Sequence, residues 1–362
     1  MIIDRRRLLK LIPLSGASFI SGCDDTDEDK VARVERALET RKQEVSKPAV
    51  EGQKQAKIAE QETDDPTKRL IVYAAASFED PFQRLQASLM AKAVRQLDGC
   101  RFKTLDGGGS AETQLHQLVD LQTQHPAFLV VCPVGTSSAY KQIDAIRKSG
   151  SVVIGVDEQL APESCSAVVF VSQKKLGALA GRQVVEALKR KAAEEAKPAV
   201  SGRVVHLTGD AVSFAAKARS EGFHEALKAE PGIIVVHEAP GAWSREGGKA
   251  RTEEALRLQH EFDVVCAHSE FIAQGAGDAL SAAQIRDRVL LIGMNGGLEM
   301  VRKSIIDATI LQPMPLQMAF EIIKQTLADP HYVPPAKTEL QPEAVTPANL
   351  DAVIGRVLRG GK

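Results

Sequence analysis

Short apolar runs recur along most of this chain, and segments with a helical pattern separate them. Gly, Pro or Asp bounds each run, as in LIVYAAAS (70–77), AFLVVCPV (127–134) and VVIGVD (152–157). The segment ETQLHQLVDLQTQ (112–124) lies between two runs and places its apolar residues near the 3.6-residue spacing of an amphipathic helix. Apolar strands that alternate with such helices predict βαβ units, in which helices cover both faces of a parallel sheet.

The runs fall into two sets of similar build. The first set also contains FKTLDGG (102–108) and VVFVS (168–172), and the second consists of RVVHLTGD (203–210), IIVVHEA (233–239), FDVVCAHS (262–269) and VLLIGMNG (289–296). ATILQPMPLQ (308–317) then crosses back towards the first set. We therefore predict an α/β fold with two Rossmann-like, doubly wound parallel-sheet lobes joined by a hinge. The predicted N-terminal lobe comprises residues 68–172 plus about 313–338, and the C-terminal lobe residues 173–312 plus about 339–362.

The N-terminus resembles an export signal. MIIDRRRLLKLIPLSGASFISGC has a basic head and an apolar stretch that is too short to span a bilayer. ISGC (20–23) resembles a lipobox, in which Cys23 is acylated and becomes the first mature residue. RRRLLK (5–10) resembles the twin-arginine export motif, although an arginine-rich general-secretion signal has the same layout. We predict a signal peptide at 1–22, a lipid anchor on Cys23 and a charged tether at 23–67 that is disordered or partly helical.

Composition and motifs exclude several classes of protein. A net charge of −1 excludes the basic excess that phosphate recognition needs, so we expect no nucleic-acid partner. LDGGGSAET (105–113) lacks the ending of a phosphate-binding loop, and the sequence contains neither a G-x-S-x-G elbow nor a zinc-like Cys/His spacing. We therefore expect no enzyme, no catalytic residue, no metal and no cofactor. Disulfide pairing stays open, with core thiols the favoured interpretation, for Cys100, Cys132, Cys165 and Cys266.

Polar residues end the predicted strands in both sets. They are Ser77, Asp106, Asp157, Asp210, Ser269 and Asn295. Because ligands of parallel sheets bind beyond the carboxyl ends of the strands, two lobes that present such edges to each other predict a binding cleft. Phe82 and Trp243 lie on loops next to these strand ends, where each ring is either a local plug or a stacking surface. Two rings at one cleft favour stacking on the apolar faces of a sugar.

From about residue 68 to its end, the chain resembles the type I periplasmic binding proteins of ABC importers, in their ribose-binding branch. The resemblance rests on YAAASFEDPF, FKTLDGGG, VVIGVDEQ, FVSQKKLGALAGR, FAAKARSEGFHEAL, APGAWSREGG, VCAHSEFIAQGA, LLIGMNGGLEM and ATILQPMPLQ. It implies two lobes that hinge and close on a small polar ligand. It also implies that the protein is exported to the periplasmic or cell-surface face of the membrane.

The resemblance implies a set of ligand-binding residues. Phe82, Asp157 and Gln312 match the residues of the ribose binders, and Trp243 replaces a phenylalanine. The remaining positions depart from the family pattern: Asp80 and Gln83 replace an amide and a phenylalanine, Glu158 and Lys217 replace two arginines, and Ser269 and Asn295 replace an asparagine and an aspartate. The implied contacts are Asp80, Phe82, Asp157, Glu158, Lys217, Trp243, Ser269, Asn295 and Gln312.

These residues predict a lipid-anchored, monomeric solute receptor that delivers a sugar or polyol to an ABC permease. The alternative is a sensor of the same fold that signals to a membrane kinase or chemoreceptor. Glu158 adds an acceptor where the family has a donor, which favours donor-rich polyols or amino-bearing sugars. Alternatively, Glu158 turns outward or pairs with Lys217, which would leave a site for neutral sugars.

Overall fold

The computed structural model describes residues 65–135, 137–259 and 261–358. The predicted signal peptide, the predicted anchor Cys23 and most of the predicted tether lie outside these residues. In the described ranges, none of the helices combines the length and the apolar character needed to cross a membrane.

Strands and helices alternate along the described chain. The strands are β1 (Arg69–Ala75), β2 (Cys100–Asp106), β3 (Phe128–Val131), β4 (Val152–Gly155), β5 (Ala167–Phe170), β6 (Gly202–Thr208), β7 (Ile233–Pro240), β8 (Val264–Ala267), β9 (Leu290–Met294), β10 (Ala308–Leu311), β11 (Lys337–Glu339) and β12 (Glu343–Val345). The helices are α1 (Pro81–Val94), α2 (Ala111–Thr123), α3 (Ser137–Lys148), α4 (Gln173–Glu194), α5 (Phe214–Leu227), α6 (Arg245–Gln259), α7 (Glu270–Ala282), α8 (Leu298–Arg302), α9 (Pro315–Ala328) and α10 (Leu350–Leu358).

The strands form two sheets, and each sheet is the centre of one lobe. The first sheet has the order β11-β5-β4-β3-β1-β2, and all its neighbours are parallel. The second has the order β12-β10-β9-β8-β6-β7 and is parallel except for the antiparallel pairing of β12 with β10. The predicted class, an α/β fold with two mostly parallel lobes, is therefore confirmed.

The core of the first lobe has one apolar layer on each face of its sheet. Alternate residues of β1 point to opposite faces, so Tyr73 packs in the layer that includes Met90 of α1 and Ile322 of α9. Val72 packs in the other layer, which includes Leu118 of α2 and Ile143 of α3. The late helix α9 thus completes the first lobe.

In the second lobe, α4 and α5 pack so closely that glycine is required at their contact. A Cβ on Gly177 of α4 would lie 2.0 Å from the carbonyl oxygen of Arg219, and a Cβ on Gly222 of α5 would lie 2.0 Å from that of Lys174. Any larger residue would have to push the two backbones apart. This contact fixes α5, and with it Arg219, relative to the start of α4.

The chain passes between the lobes at three segments. They are the segments between β5 and α4, between β10 and α9, and between β11 and β12. The third segment lies between Glu339 and Glu343, whereas the sequence-based boundary lay at 338–339, because β11 continues to Glu339 in the first sheet. An ion pair of 2.6 Å between Lys175 and Glu339 links the start of α4, after the first segment, to the end of β11, before the third.

Candidate ligand-binding site

The two sheets place polar side chains at the carboxyl ends of their strands. Asp157 follows β4 in the first lobe, and Asn295 follows β9 in the second. Because both strands are internal and parallel to their neighbours, each residue lies at the edge where the other strand ends of its sheet also lie.

Asp80 lies just before α1, and its carboxylate caps that helix. Its Oδ1 accepts a hydrogen bond of 2.9 Å from the backbone N–H of Phe82. Burial raises the pKa of Asp80, while the bond from Phe82 and the positive charge of Arg219 in the second lobe lower it. Asp80 of the first lobe and Arg219 of the second are therefore close enough for their opposite charges to interact.

Asp157 lies in a turn directly after β4. Its Oδ1 accepts a hydrogen bond of 2.7 Å from the backbone N–H of Gln159. Burial raises the pKa of Asp157 above its ordinary value, since the carboxylate loses hydration that the backbone and side-chain donors of Gln159 only partly replace. Burial raises the pKa of Tyr140, and the charge of Asp157 raises it further. The carboxylate therefore retains unused acceptor capacity.

Glu158, the next residue, points to the start of α4, just after the first segment that crosses between the lobes. Its Oε1 accepts a hydrogen bond of 3.0 Å from the backbone N–H of Gln173, the first residue of α4. Burial raises the pKa of Glu158, the bond from Gln173 lowers it, and the nearby Asp157 raises it further. The structure thus engages Glu158 at a helix N-terminus, where a carboxylate is favoured. This contact with the start of α4 differs from the predicted alternative in which Glu158 pairs with Lys217.

The buried cation of α5 is Arg219, and not Lys217, which the sequence-based assignment had named. Lys217 is exposed on α5, whereas Arg219 is 3% exposed. Residues two positions apart in sequence lie about 200° apart around a helix, so only one of Lys217 and Arg219 can face the site. Arg219 donates from Nε to Oε1 of Gln173 and from Nη2 to Oε1 of Gln312, both at 2.9 Å, and from Nη1 to the carbonyl oxygen of His268.

Arg219 stays charged although it is buried. Burial lowers its pKa to about 10, and Asp80 and Glu270 raise it, so the guanidinium is protonated at neutral pH. The sequence contains a signal that favours Arg219 over Lys217, and the sequence-based assignment of Lys217 missed it. Arg219 directly precedes S-E-G-F (220–223), the segment on which the family resemblance rested, whereas Lys217 lies two residues earlier.

Trp243 packs against Arg219 from the loop between β7 and α6. The guanidinium carbon lies 5.2 Å from the centre of the indole ring, within the range of a cation–π contact. Trp243 has a φ of 56°, the left-handed region that a bulky residue rarely adopts. Gly209, at the end of β6, makes room for the ring, because a Cβ there would lie 2.0 Å from Cζ2 of Trp243.

The other second-lobe residues are buried polar groups. Ser269 is 2% exposed and accepts a hydrogen bond of 3.2 Å from the backbone N–H of Ile272, which caps α7. Asn295 is 8% exposed and has a φ of 78°. Its Oδ1 is buried and finds no hydrogen-bond partner among the residues that the structure describes. Such an acceptor is costly unless a donor reaches it.

The structure thus brings some of the expected residues together and separates others. Arg219 joins Gln312 and Trp243 directly, and its charge reaches Asp80. Phe82 is half-buried at the start of α1, beside Asp80. Lys217 is not part of this group, and Glu158 faces the hinge. Cys100, Cys132, Cys165 and Cys266 are free thiols.

Two facing α/β lobes with polar strand ends and an aromatic–guanidinium contact define a two-lobed solute-binding protein. Comparison with known proteins agrees, because the model of the family described as "periplasmic binding protein domain" matches residues 71–328. The chain therefore belongs to the periplasmic binding protein domain family. This is a family of solute-binding proteins and not of enzymes.

Individual relatives have low sequence identity to this chain but align over about two thirds of it or more. The D-apiose import binding protein of Paraburkholderia graminis is 27% identical over 263 residues, which are 71% of this chain and 79% of that protein. The ribose import binding protein of Haemophilus influenzae is 24% identical over 245 residues, or 67% and 79% of the two chains. A solute-binding protein of Bacillus halodurans, solved with bound myo-inositol, aligns with a TM-score of 0.69 at 20% identity, covering 81% of this chain and all of that one.

Proposed function

We propose that this protein is an extracytoplasmic solute-binding lipoprotein that captures a sugar or polyol between its lobes and delivers it to an ABC importer. Membership of the periplasmic binding protein domain family supports export and binding. Relatives named for the import of D-apiose and ribose support a sugar-like ligand and an ABC permease as partner.

The observation that carries this proposal is the buried Oδ1 of Asn295, which has no hydrogen-bond partner among the described residues and lies at the same strand edge as Ser269. A ligand can satisfy such an acceptor by donating a hydrogen bond to it, and hydroxyl groups are hydrogen-bond donors. Asp157 in the opposite lobe has acceptor capacity to spare. A ligand with several hydroxyls can satisfy acceptors of both lobes at once and so favour the closed form.

The proposed direct contacts come from both lobes. They are Asp80, Phe82, Asp157, Trp243, Ser269, Asn295 and Gln312, with Arg219 in place of Lys217. Phe82 and Trp243 supply the apolar surfaces on which the C–H faces of a sugar pack. The acids and amides take the hydroxyls.

The charges of the site favour a donor-rich ligand. The first lobe contributes three acids, Asp80, Asp157 and Glu158, and Asp80 lies in the field of Arg219, whose donors already reach protein acceptors. Burial raises the pKa of each of these three acids, as is expected where carboxylates lack sufficient donors. Hydroxyl-rich polyols, and sugars that also have an ammonium group, would supply what is missing.

Binding can be tested with D-ribose, D-apiose, myo-inositol and the pair D-glucosamine and D-glucose. We expect at least one of these to raise the melting temperature and to titrate calorimetrically with one site, because a ligand that binds only the folded state stabilises it. Closure predicts a smaller radius of gyration in scattering with saturating ligand. Failure of all five, together with a wider panel of sugars and polyols, would contradict the proposal.

The anchor is a separate part of the proposal. We propose that Cys23 is acylated after export and that the monomeric protein fractionates with membranes. Cys23→Ser should move the protein to the soluble extracytoplasmic fraction, and wild-type Cys23 should incorporate radiolabelled palmitate. A wild type that is soluble without detergent after export would contradict the anchor but not the binding site.

A further inference from the structure

A chain of side-chain hydrogen bonds runs through the second lobe to the candidate site. His224, on the outer surface of α5, lies 2.6 Å from Oε2 of Glu238. The same oxygen lies 2.9 Å from Nδ1 of His206, and Nε2 of His206 lies 2.9 Å from Nε2 of His268. The chain ends where the backbone N–H of Gly209 donates to Nδ1 of His268 at 3.1 Å.

A break in strand register builds this chain. The pairing of β6 with β7 shifts by one residue between Val204 and Val205, and this shift sets Glu238 opposite His206. Without the shift, His237 would occupy that position. His206 is fully buried, and its ring stacks on Phe223 of α5 with 4.1 Å between the ring centres.

The backbone of Gly209 fixes the direction of every bond in the chain. A backbone N–H can only donate, so Nδ1 of His268 must be an acceptor and its proton must be on Nε2. Nε2 of His206 must then accept, which places the proton of His206 on Nδ1, facing Glu238. Both imidazoles are neutral in this arrangement, and burial lowers the pKa of both.

The same tautomers argue against a metal ion at this cluster. Nδ1 of His206, a ring nitrogen of His224 and a carboxylate oxygen of Glu238 lie within 4.8 Å of one another, close enough for a metal. A metal on Nδ1 of His206 would displace the proton that Glu238 accepts. Since Nε2 of His206 already accepts from His268, the ring would be left as an imidazolate. The hydrogen-bond chain therefore fits a proton-sensitive role better than a metal site.

The inner end of the chain supports two groups of the candidate site. Gly209, which His268 holds through its Nδ1, is the residue against which the ring of Trp243 packs. The carbonyl oxygen of His268 accepts from Arg219, and the centres of the His268 and Trp243 rings are 6.3 Å apart. A change of protonation at His268 would therefore alter the contacts that position Trp243 and Arg219.

We propose that His268 is a positioning residue for Trp243 and Arg219, and that His206 and Glu238 make this positioning depend on pH. When the pair of histidines takes up one proton, the proton shared by them moves from His268 to Nε2 of His206. The added proton then occupies Nδ1 of His268. His206 becomes a cation beside Glu238, and two N–H donors face each other between His268 and Gly209. The bond that holds Gly209 is lost.

The charged and titratable groups around the two rings determine the sign. Glu238 on β7 favours protonation of His206, whereas His224 and Arg219 on α5 act against protonation of the two rings. Burial also opposes it, so the change is expected below pH 6.5, the ordinary value of a histidine. Above that pH the site is ordered, and below it the support of Trp243 weakens.

The fluorescence of Trp243 tests this without a ligand, because Trp243 is the only tryptophan in the sequence. The full-length protein, titrated from pH 8 to pH 5, should show a change in emission with a midpoint below 6.5. Glu238→Gln removes the carboxylate that favours the cation, so the midpoint should fall by about one pH unit or more. His237→Gln, on the same strand but outside the chain of bonds, should leave the midpoint unchanged.

Variants of His268 separate positioning from simple structural support. His268→Asn places a non-titrating amide oxygen near Nδ1, so it should keep the pH 8 emission and remove the transition. His268→Ala should change the emission at every pH. The inference rests on the proposed function only in treating Trp243 and Arg219 as ligand contacts, and fluorescence reports on it even if no sugar binds. An unchanged transition in His268→Asn, or no transition in wild type, would overturn it.

Discussion

Nη2 of Arg219 donates to Oε1 of Gln312 at 2.9 Å, and this bond joins the second-lobe helix α5 to the segment that crosses between the lobes after β10. Through Nε the same guanidinium holds Gln173, which begins α4 just after the first crossing segment. One buried cation therefore touches two of the three connections about which the lobes would move. If ligand binds at Arg219, as proposed above, these bonds would couple its binding to movement about the crossing segments.

Arg219→Lys should weaken ligand binding although the charge is kept. Lysine cannot reproduce the planar fork that reaches Gln173, Gln312 and the carbonyl of His268 together. Loss of one charged hydrogen bond costs about 1.5 to 3 kcal/mol, so the dissociation constant should rise about 10- to 150-fold in calorimetric titration. Lys217→Gln is the matched control on the exposed face of α5 and should bind as wild type does. Equal losses in the two variants would contradict the reassignment from Lys217 to Arg219.

Asp157→Asn should weaken ligand binding and stabilise the free protein. A hydrogen bond from a ligand hydroxyl to a carboxylate contributes about 1.5 to 3 kcal/mol, more than one to a neutral amide. In the free protein, burial raises the pKa of Asp157, so the folded state binds the proton more tightly than the unfolded state does. The contribution of Asp157 to stability therefore increases as pH falls through the raised value towards 3.8.

The measurement for Asp157 is chemical denaturation at several pH values beside ligand titration. At pH 7 the Asn variant should be more stable by about 1 kcal/mol, the usual scale when a functional charge is removed from its site. The difference should shrink in acid, where the wild-type carboxyl is protonated. Asp120→Asn, on an exposed face of α2, serves as the control. A less stable Asn variant with unchanged affinity would mean that Asp157 only supports its turn.

The sequence predicted the strand ends of this site better than the directions of its side chains. Asp157 and Glu158 both follow an apolar run, and no pattern reveals that the second carboxylate reaches the N-terminus of α4, which begins fifteen residues later in the chain. Two features distinguish Arg219 from Lys217: its position directly before S-E-G-F in the sequence, and the helical phase that the contact of α4 with α5 fixes in the fold. His206 was recognisable as a residue of an apolar strand, but its bond to Glu238 depends on a register shift that leaves no local sequence signal.

Glu158→Gln should change ligand preference more than stability. The amide oxygen can still accept from the backbone of Gln173, so the start of α4 keeps its partner. The negative charge is lost, and the affinity for an amino-bearing sugar should fall relative to its neutral parent by on the order of 1 kcal/mol. Glu158→Ala removes the acceptor as well and should also lower the free energy of unfolding by about 1 kcal/mol. If both variants keep the wild-type ratio of affinities for the amino-bearing sugar and its neutral parent, Glu158 acts only on the N-terminus of α4.

Gly209→Ala should destabilise the protein only when Trp243 is present. The new Cβ would lie 2.0 Å from Cζ2 and 2.3 Å from Cε2 of the indole, so the ring or the end of β6 must move. Such overpacking typically costs about 1 to 3 kcal/mol, and here it would also displace a proposed ligand contact. Denaturation of wild type, Gly209→Ala, Trp243→Ala and the double variant forms a cycle that isolates the clash from all other effects of each substitution. We expect the alanine at 209 to cost nothing further once the indole is gone, and ligand affinity to follow the same pattern. The same cost in both backgrounds would show that Gly209 serves the backbone of β6 and not the placement of Trp243.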